Sequence, residues 1–210
     1  MRKPFAVPSA ALVLLVLALA GCSTSGVLRE PAKIPATVAS YENARLRAHA
    51  GNVPVVLDLS ECVEQAAMSS SGFSGSPSIA GRFPVRALVQ RELSKVISAN
   101  FRTTLPDEHP KLVIEVRSEC VQVTRSWSKV KCRMSFLVRI VDPVSVDRRP
   151  YFSRKYEIVS EGMQKDKEEV PDCVYEEVQT LAKRFLEDIP REQNGTLLTR
   201  LKELSVSVGE

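Results

Sequence analysis

Between Lys111 and Asp142 apolar and polar residues alternate in two successive runs, and this pattern constrains the fold more than any other stretch. Leu112, Ile114 and Val116 alternate with Val113, Glu115 and Arg117. After a turn, Val130, Cys132, Met134, Phe136, Val138 and Ile140 alternate with Lys131, Arg133, Leu137 and Arg139. A period of two marks a half-buried strand, because successive side chains point to opposite faces. The runs therefore predict an antiparallel hairpin with one buried face. Setting Cys120 opposite Cys132 gives a register in which Leu112 meets Ile140, Ile114 meets Val138 and Val116 meets Phe136. On the reverse face Glu119 then meets Arg133 as an opposite-charge pair. A one-residue slip would turn all of these the wrong way. The same register puts the turn at Arg125 to Trp127.

The remaining segments read around this hairpin. Val53 to Ser60 predicts a first strand, with Val55, Leu57 and Leu59 on one face. Ser69 to Pro77 (SSSGFSGSP) is rich in Ser and Gly and predicts a mobile loop; it holds no Lys and so is not a phosphate-binding loop. A helix is expected from Pro84, with Val85, Leu88, Val89, Val96 and Ile97 on one face, ending near Asn100. Tyr151 to Ser160 predicts another strand, with Phe152, Tyr156 and Ile158 on one side, before a charged loop from Glu161 to Glu169. Asp172 is placed to cap a second helix carrying Val174, Val178, Leu181 and Phe185, and Pro190 stops it. The predicted fold class is α+β: a two-layer sandwich of order βαβββα, with a mostly antiparallel sheet and two helices on one face. Beyond it, the tail 191–210 bears Leu197, Leu198, Leu201 and Leu204, which either pack back on the domain or form a partner helix.

At the N-terminus Arg2 and Lys3 precede an apolar run, Ala10 to Ala20, as in a cleaved secretion signal. Ala6 to Ala20, interrupted by Pro8 and Ser9, falls short of the roughly 20 residues a membrane-spanning helix needs. The run closes on Leu19-Ala20-Gly21-Cys22, which resembles the lipobox of bacterial lipoproteins. The resemblance implies a signal peptide over 1–21 and covalent diacylglyceryl and N-acyl lipid (palmitate-type chains) on Cys22, with no other cofactor. Ser23, where Asp would imply inner-membrane retention, implies an outer-membrane lipoprotein facing the periplasm. Several acyl chains anchor firmly, whereas a single one binds only marginally. Residues 22–52, with Pro31 and Pro35, read as a lipidated tether carrying a short helix around Tyr41 to Ala48, ahead of a domain over 53–190. Arg2 and Lys3 leave with the signal, which takes the formal net charge from +4 to +2 and argues against nucleic acid as a partner.

With Cys22 committed to lipid, Cys62, Cys120, Cys132 and Cys173 remain, and an even number in an oxidising compartment favours two disulfides. The hairpin register selects Cys120 with Cys132, leaving Cys62 with Cys173. A bulge at Ser118-Glu119 would turn one cysteine away and undo both pairings. No CxxC occurs and His49 and His109 lie far apart, so no metal site is expected. Asp58 and Glu61 read as solvated carboxylates at a strand end, and no G-x-S-x-G elbow is present. The chain is expected not to be an enzyme. At the hairpin tip Arg125, Lys129 and Lys131 gather around Trp127, the single Trp of the sequence; either they meet a lipid headgroup or a protein partner, or Trp127 folds onto the sheet and the charges form a solvated rim, the commoner arrangement.

The order βαβββα behind a lipobox, with KLVIEV, CRMSFLVRIVDP and FSRKYEI followed by a helix from Asp172, resembles small envelope lipoproteins of the lipopolysaccharide-assembly (LptE-like) and YajG-like kind. The resemblance covers about Val53 to Ile189. It implies a domain that plugs an outer-membrane β-barrel and meets lipopolysaccharide through basic loop residues, with Arg125 and Lys129 as positional counterparts. The four extra cysteines, the Gly/Ser loop and the leucine-bearing tail depart from that pattern. The functional expectation is a non-enzymatic accessory or scaffold subunit of an envelope assembly or transport machine. The alternatives are a lipid-binding auxiliary lipoprotein of an ABC transport system, taking phospholipid or lipopolysaccharide, and an envelope hydrolase.

Overall fold

The computed structural model describes residues 37–71, 77–126, 129–145, 149–163, 169–191 and 195–207. Cys22 and the lipobox, and Trp127 at the hairpin tip, lie outside the described residues. Within them the chain is α+β, a seven-stranded mixed sheet with four helices. A 3-10 turn (Val38–Tyr41) leads to α1 (Ala44–Ala50), β1 (Pro54–Asp58), β2 (Ala66–Ser71), β3 (Pro77–Phe83), α2 (Val85–Asn100) and β4 (Arg102–Thr103). Then follow β5 (Leu112–Arg125), β6 (Lys129–Val141), β7 (Phe152–Met163), α3 (Glu169–Asp188), a 3-10 turn (Ile189–Arg191) and α4 (Thr196–Ser207).

The long strand β5 is the spine. One of its edges pairs with β6 along its whole length, antiparallel. The other edge is shared in tandem by two parallel partners, β1 (Val55 opposite Leu112 to Asp58 opposite Glu115) and then β2 (Met68 opposite Val123 to Ser70 opposite Arg125). Strand β4 adds to β1 in parallel, β3 to β2 antiparallel, and β7 to β6 antiparallel. Between β1 and β2 the chain detours, yet stays on β5: the Ser118 amide donates to the Glu61 carbonyl at 3.2 Å, and the Ser118 hydroxyl accepts from the Val63 amide at 3.1 Å. The longest pairings are antiparallel, as expected.

The alternation does what it predicts. Leu112, Ile114 and Val116 of β5 and Val130, Cys132, Met134, Phe136, Val138 and Ile140 of β6 are all buried, in one core with the apolar residues of α2 and α3. Each such aliphatic or aromatic side chain contributes roughly 1.5–3 kcal/mol on burial. The opposite face of β5–β7 is solvated and laced by ion pairs, Arg139–Glu115 at 2.7 Å and Lys155–Glu119 at 2.8 Å among them. Antiparallel sheets tolerate such one-sided hydration.

Several expectations are corrected. The order βαβββα is incomplete, because β2 runs to Ser71 and β3 begins at Pro77, the two pairing antiparallel; of the expected Ser/Gly loop, residues 72–76 lie outside the described residues. The β5–β6 register is not the one that sets Cys120 against Cys132. Ile114 meets Ile140, Val116 meets Val138 and Ser118 meets Phe136, two residues from the expected pairing. Between Ser118 and Cys120 a bulge then shifts the register once more, so that Cys120 faces Ser135, and Glu119 pairs with Lys155 rather than Arg133. Helix α3 starts at Glu169, since Pro171 is tolerated in a first turn, and Asp172 lies inside the helix instead of capping it. Strand β7 continues to Met163 through part of the expected charged loop. Residues 37–52, expected as tether, are folded: Tyr41, Leu46 and Ala50 sit in the core. The tail, by contrast, takes the first of its two expected courses: its leucines form α4, which buries Leu197, Leu201 and Leu204 and packs back on the domain against α1.

Candidate functional site

The hairpin tip is less bare than its sequence suggests. The Lys129 ammonium lies 2.8 Å from the Glu161 carboxylate of β7. That bond raises the pKa of Lys129, and the two lysines Lys129 and Lys131 hold Glu161 below its ordinary value. Arg125 pairs across the hairpin with Val130, and Lys131 stands opposite Thr124 and Glu161. The tip is thus a partly neutralised basic end, not a cluster of free cations. Asp58 and Glu61 are likewise engaged: Asp58 accepts from the Ser60 amide at 2.8 Å, and Glu61 pairs with Arg117 at 3.5 Å. They line a polar crevice of about 180 Å³ on the solvated face, with Glu115 and Arg139.

Two buried polar residues of α2 hold the N-terminal segment. Glu92 is 0 % exposed yet fully engaged. Its carboxylate accepts from the Tyr41 hydroxyl at 2.9 Å, the Tyr175 hydroxyl at 3.2 Å, Lys95 at 2.8 Å and Arg91 at 3.3 Å. The Arg91 guanidinium also lies 4.8 Å over the Tyr175 ring. Burial, and then the neighbouring Glu92 carboxylate, push the pKa of Tyr41 well up. Eight residues on, Asn100 donates to the Tyr41 carbonyl at 2.7 Å and the Val96 carbonyl at 2.9 Å, and its own side-chain oxygen accepts from the Asn43 amide at 2.8 Å. Asn43 in turn caps α1 by accepting from the Leu46 amide. Neither Glu92 nor Asn100 was singled out from sequence, although the signal was there. Both lie on the apolar stripe of α2, Glu92 four residues after Leu88 and Asn100 four after Val96.

The cysteines part differently from the expected pairs. Cys132 of β6 is bonded to Cys173 of α3, with Cα atoms 6.8 Å apart, while Cys62 and Cys120 are free thiols. The bulge is the reason. It puts Cys120 opposite Ser135 on the solvated face, whereas Cys132, opposite Val123, points inward to the helices. Cys62 is buried at 3.2 Å from the Ser118 hydroxyl, and burial raises its pKa. Ser160 of β7 stands opposite Cys132, with its hydroxyl 3.0 Å from the Cys173 sulfur. One turn beyond Cys173, Glu177 is 2 % exposed and neither of its carboxyl oxygens is in a formed hydrogen bond. Burial raises its pKa, with nearby Ser160 and Arg184 opposing that shift.

Among the described residues no three His, Cys, Asp or Glu side chains come together to hold a metal ion. No described helix is long and apolar enough to cross a membrane. No protein-family model matches the chain, and no curated protein matches it in sequence. In structure, it is similar to a Xanthomonas campestris protein of the DUF330 family at a TM-score of 0.53 and 7% identity, over 85% of this chain and 96% of that one. It also matches an uncharacterised protein at a TM-score of 0.37 and 10% identity, over 77% of this chain and 99% of that one. A third match is a protein from Caulobacter crescentus, described as a candidate lipoprotein, at a TM-score of 0.34 and 7% identity over 68% of this chain and 90% of that one. The first of these shows that the α+β fold is shared with a DUF330 protein and, at 7% identity, shows the fold alone.

Proposed function

We propose that this chain is a lipid-anchored protein of the bacterial cell envelope that works without catalysis, as an accessory or scaffold subunit of an envelope assembly or transport machine. The observation that carries the reading is the lipobox-like Leu19-Ala20-Gly21-Cys22 set ahead of a folded domain. Diacylglyceryl and N-acyl chains on Cys22 would fix the protein to the periplasmic face of the outer membrane. The fold shared with a DUF330 protein is compatible with this reading and adds no activity to it. The partner surface we favour is the solvated face of β5–β7 together with the tip at Arg125, Lys129 and Lys131, with a β-barrel or a transporter component as its partner. The second reading, an ABC-transport auxiliary protein that itself binds phospholipid or lipopolysaccharide, draws on the same basic tip meeting headgroup phosphates.

The test is solubilisation of the full-length protein from its native membranes in mild detergent, with mass spectrometry of the protein and of all that copurifies. An acylated Cys22 and a stoichiometric outer-membrane barrel support the assembly reading. Inner-membrane transporter subunits, or bound lipid alone, move it to the second. An unmodified Cys22 in a protein that stays with the membrane overturns the lipid anchor. Replacing Trp127 and Lys129 with Ala tests the tip, and unchanged capture of partner and lipid removes it from the interface.

A further inference from the structure

Among the described residues two glutamates are buried, and they are treated in opposite ways. Glu92 is satisfied by four donors, whereas Glu177 has neither oxygen in a hydrogen bond although it is 2 % exposed. A buried carboxyl that Ser160 and Arg184 stabilise only in part is costly to keep ionised. Its place explains what it does there. Residues four apart on a helix share a face, so Glu177 stacks on the same side of α3 as Cys173. That side faces β6 and β7, where Cys132 and Ser160 stand opposite each other. The two sulfurs differ in access: Cys132 is 0 % exposed, whereas Cys173 is partly open to solvent.

We propose that Cys132–Cys173 is an exchangeable disulfide, opened at Cys173 by a dithiol reductant, with the Glu177 carboxyl as the proton donor to the departing Cys132 sulfur. A thiolate of the reductant attacks the Cys173 sulfur, forming a mixed disulfide and breaking the Cys132–Cys173 bond. The electron pair leaves on Cys132, which takes the Glu177 proton and becomes a thiol. The second thiol of the reductant, as its thiolate, then attacks its own sulfur in the mixed disulfide and releases Cys173 as a thiolate. The reductant leaves oxidised to a disulfide, having given two electrons. The Ser160 hydroxyl, 3.0 Å from the Cys173 sulfur, donates a hydrogen bond to that thiolate until solvent protonates it, and Glu177 regains its proton from water. Oxidation is the reverse.

The raised pKa of Glu177 supports this assignment, because it keeps the acid protonated to higher pH. The groups around it do not supply a competing proton: Ser160 on β7, the Arg184 guanidinium on α3, and Cys132 on β6. From α2, Arg91 and Glu92 reach α3 at Tyr175 and are already engaged with each other there. Opening the bond detaches the first turns of α3 from β6, so the covalent state of this pair sets how firmly the helix start is held.

The test uses the full-length chain in detergent, dithiothreitol as the reductant, and alkylation read by mass to follow the disulfide. The expected result is loss of the disulfide without denaturant, at a rate that falls with rising pH once divided by the dithiothreitol thiolate concentration. Glu177→Gln slows the step about tenfold or more at pH 6 and flattens that profile, the scale of general acid catalysis. A Cys132→Ser variant captures glutathione from its disulfide form at Cys173, which reads the attacked sulfur even if Glu177→Gln does not fold. Reduction only after unfolding, a Glu177→Gln profile identical to that of the unsubstituted chain, or a Cys173 that does not take up glutathione overturns the proposal.

Discussion

The Tyr41 hydroxyl donates a 2.9 Å hydrogen bond to the buried carboxylate of Glu92, 51 residues further along the chain. A segment that reads as tether in sequence is thereby tied into the packing of α2 and α3. Truncating Glu92 to Ala removes the counter-charge of Lys95 and Arg91 and the acceptor of both tyrosines. Its expected cost is about 3–5 kcal/mol, read from the midpoint of chemical unfolding. Tyr41→Phe removes one donor of four, and should cost about 1–2 kcal/mol.

The same bond makes a pH prediction. Tyr41 holds its proton more tightly in the folded state than in the unfolded chain, through burial and the Glu92 carboxylate. Its contribution is therefore fully present below the unfolded value, about 10, and is lost as pH rises beyond it. Unfolding midpoints measured between pH 8 and 11 should fall more steeply in the unsubstituted chain than in Tyr41→Phe.

Asn100→Ala should loosen the N-terminal segment selectively. It removes the donor to the buried Tyr41 carbonyl and the acceptor for the half-buried Asn43 amide, at a cost of about 2–3 kcal/mol. Hydrogen exchange resolved by peptide should speed up over residues 37–50 while β5 and β6 keep their protection.

Glu177 gives a stability change of the opposite sign. Its folded pKa is raised by burial, so its contribution is present below the unfolded carboxyl range and is lost as pH rises through the folded value. Glu177→Gln removes the ionisation. The variant should unfold at a higher denaturant concentration than the unsubstituted chain at pH 8, with the difference shrinking towards pH 4.

Replacing Cys132 and Cys173 together with Ala opens a loop with a sequence separation of 41, and the chain-entropy model puts the loss at about 4 kcal/mol. The free thiols offer a companion measurement in the unsubstituted chain. Iodoacetamide should label Cys120 in the folded protein and reach Cys62, which is 1 % exposed with a raised pKa, only on unfolding.

How far the fold could be read from sequence follows from what each signal measures. Alternation reports faces, and the inward set from Leu112 to Ile140 is buried as expected. It is blind to a shift of two, which returns every side chain to the same face, so the expected register was displaced by that amount without any loss of pattern. The cysteine used to pin it sits just beyond a bulge, where the parity of β5 changes. The β2–β3 hairpin was illegible because AAMSSS and PSIAGRF offer few large apolar residues to set a period. Parallel pairing of β1 and β2 with β5 leaves no local trace, being made across tens of residues. Glu92, Asn100 and Glu177 were visible only as polar residues among or beside apolar helical positions, and such a pattern cannot tell a satisfied carboxylate from an orphaned one.

The tandem seating of β1 and β2 on one edge of β5 has a consequence for how the chain comes into being. Leu57 finds its partner at Ile114 and Met68 finds its own at Val123, so the β1–β4 and β2–β3 pairs of the first half have no common sheet to join until β5 has been made and has arrived. From β5 to β7, by contrast, each strand pairs with its immediate successor. Assembly therefore runs backwards relative to synthesis: the later meander forms first and the earlier strands dock onto its finished edge. Until then the β1–β4 and β2–β3 pairs are two separate ribbons, each too small to be stable alone, and the arrival of β5 is what makes them one sheet.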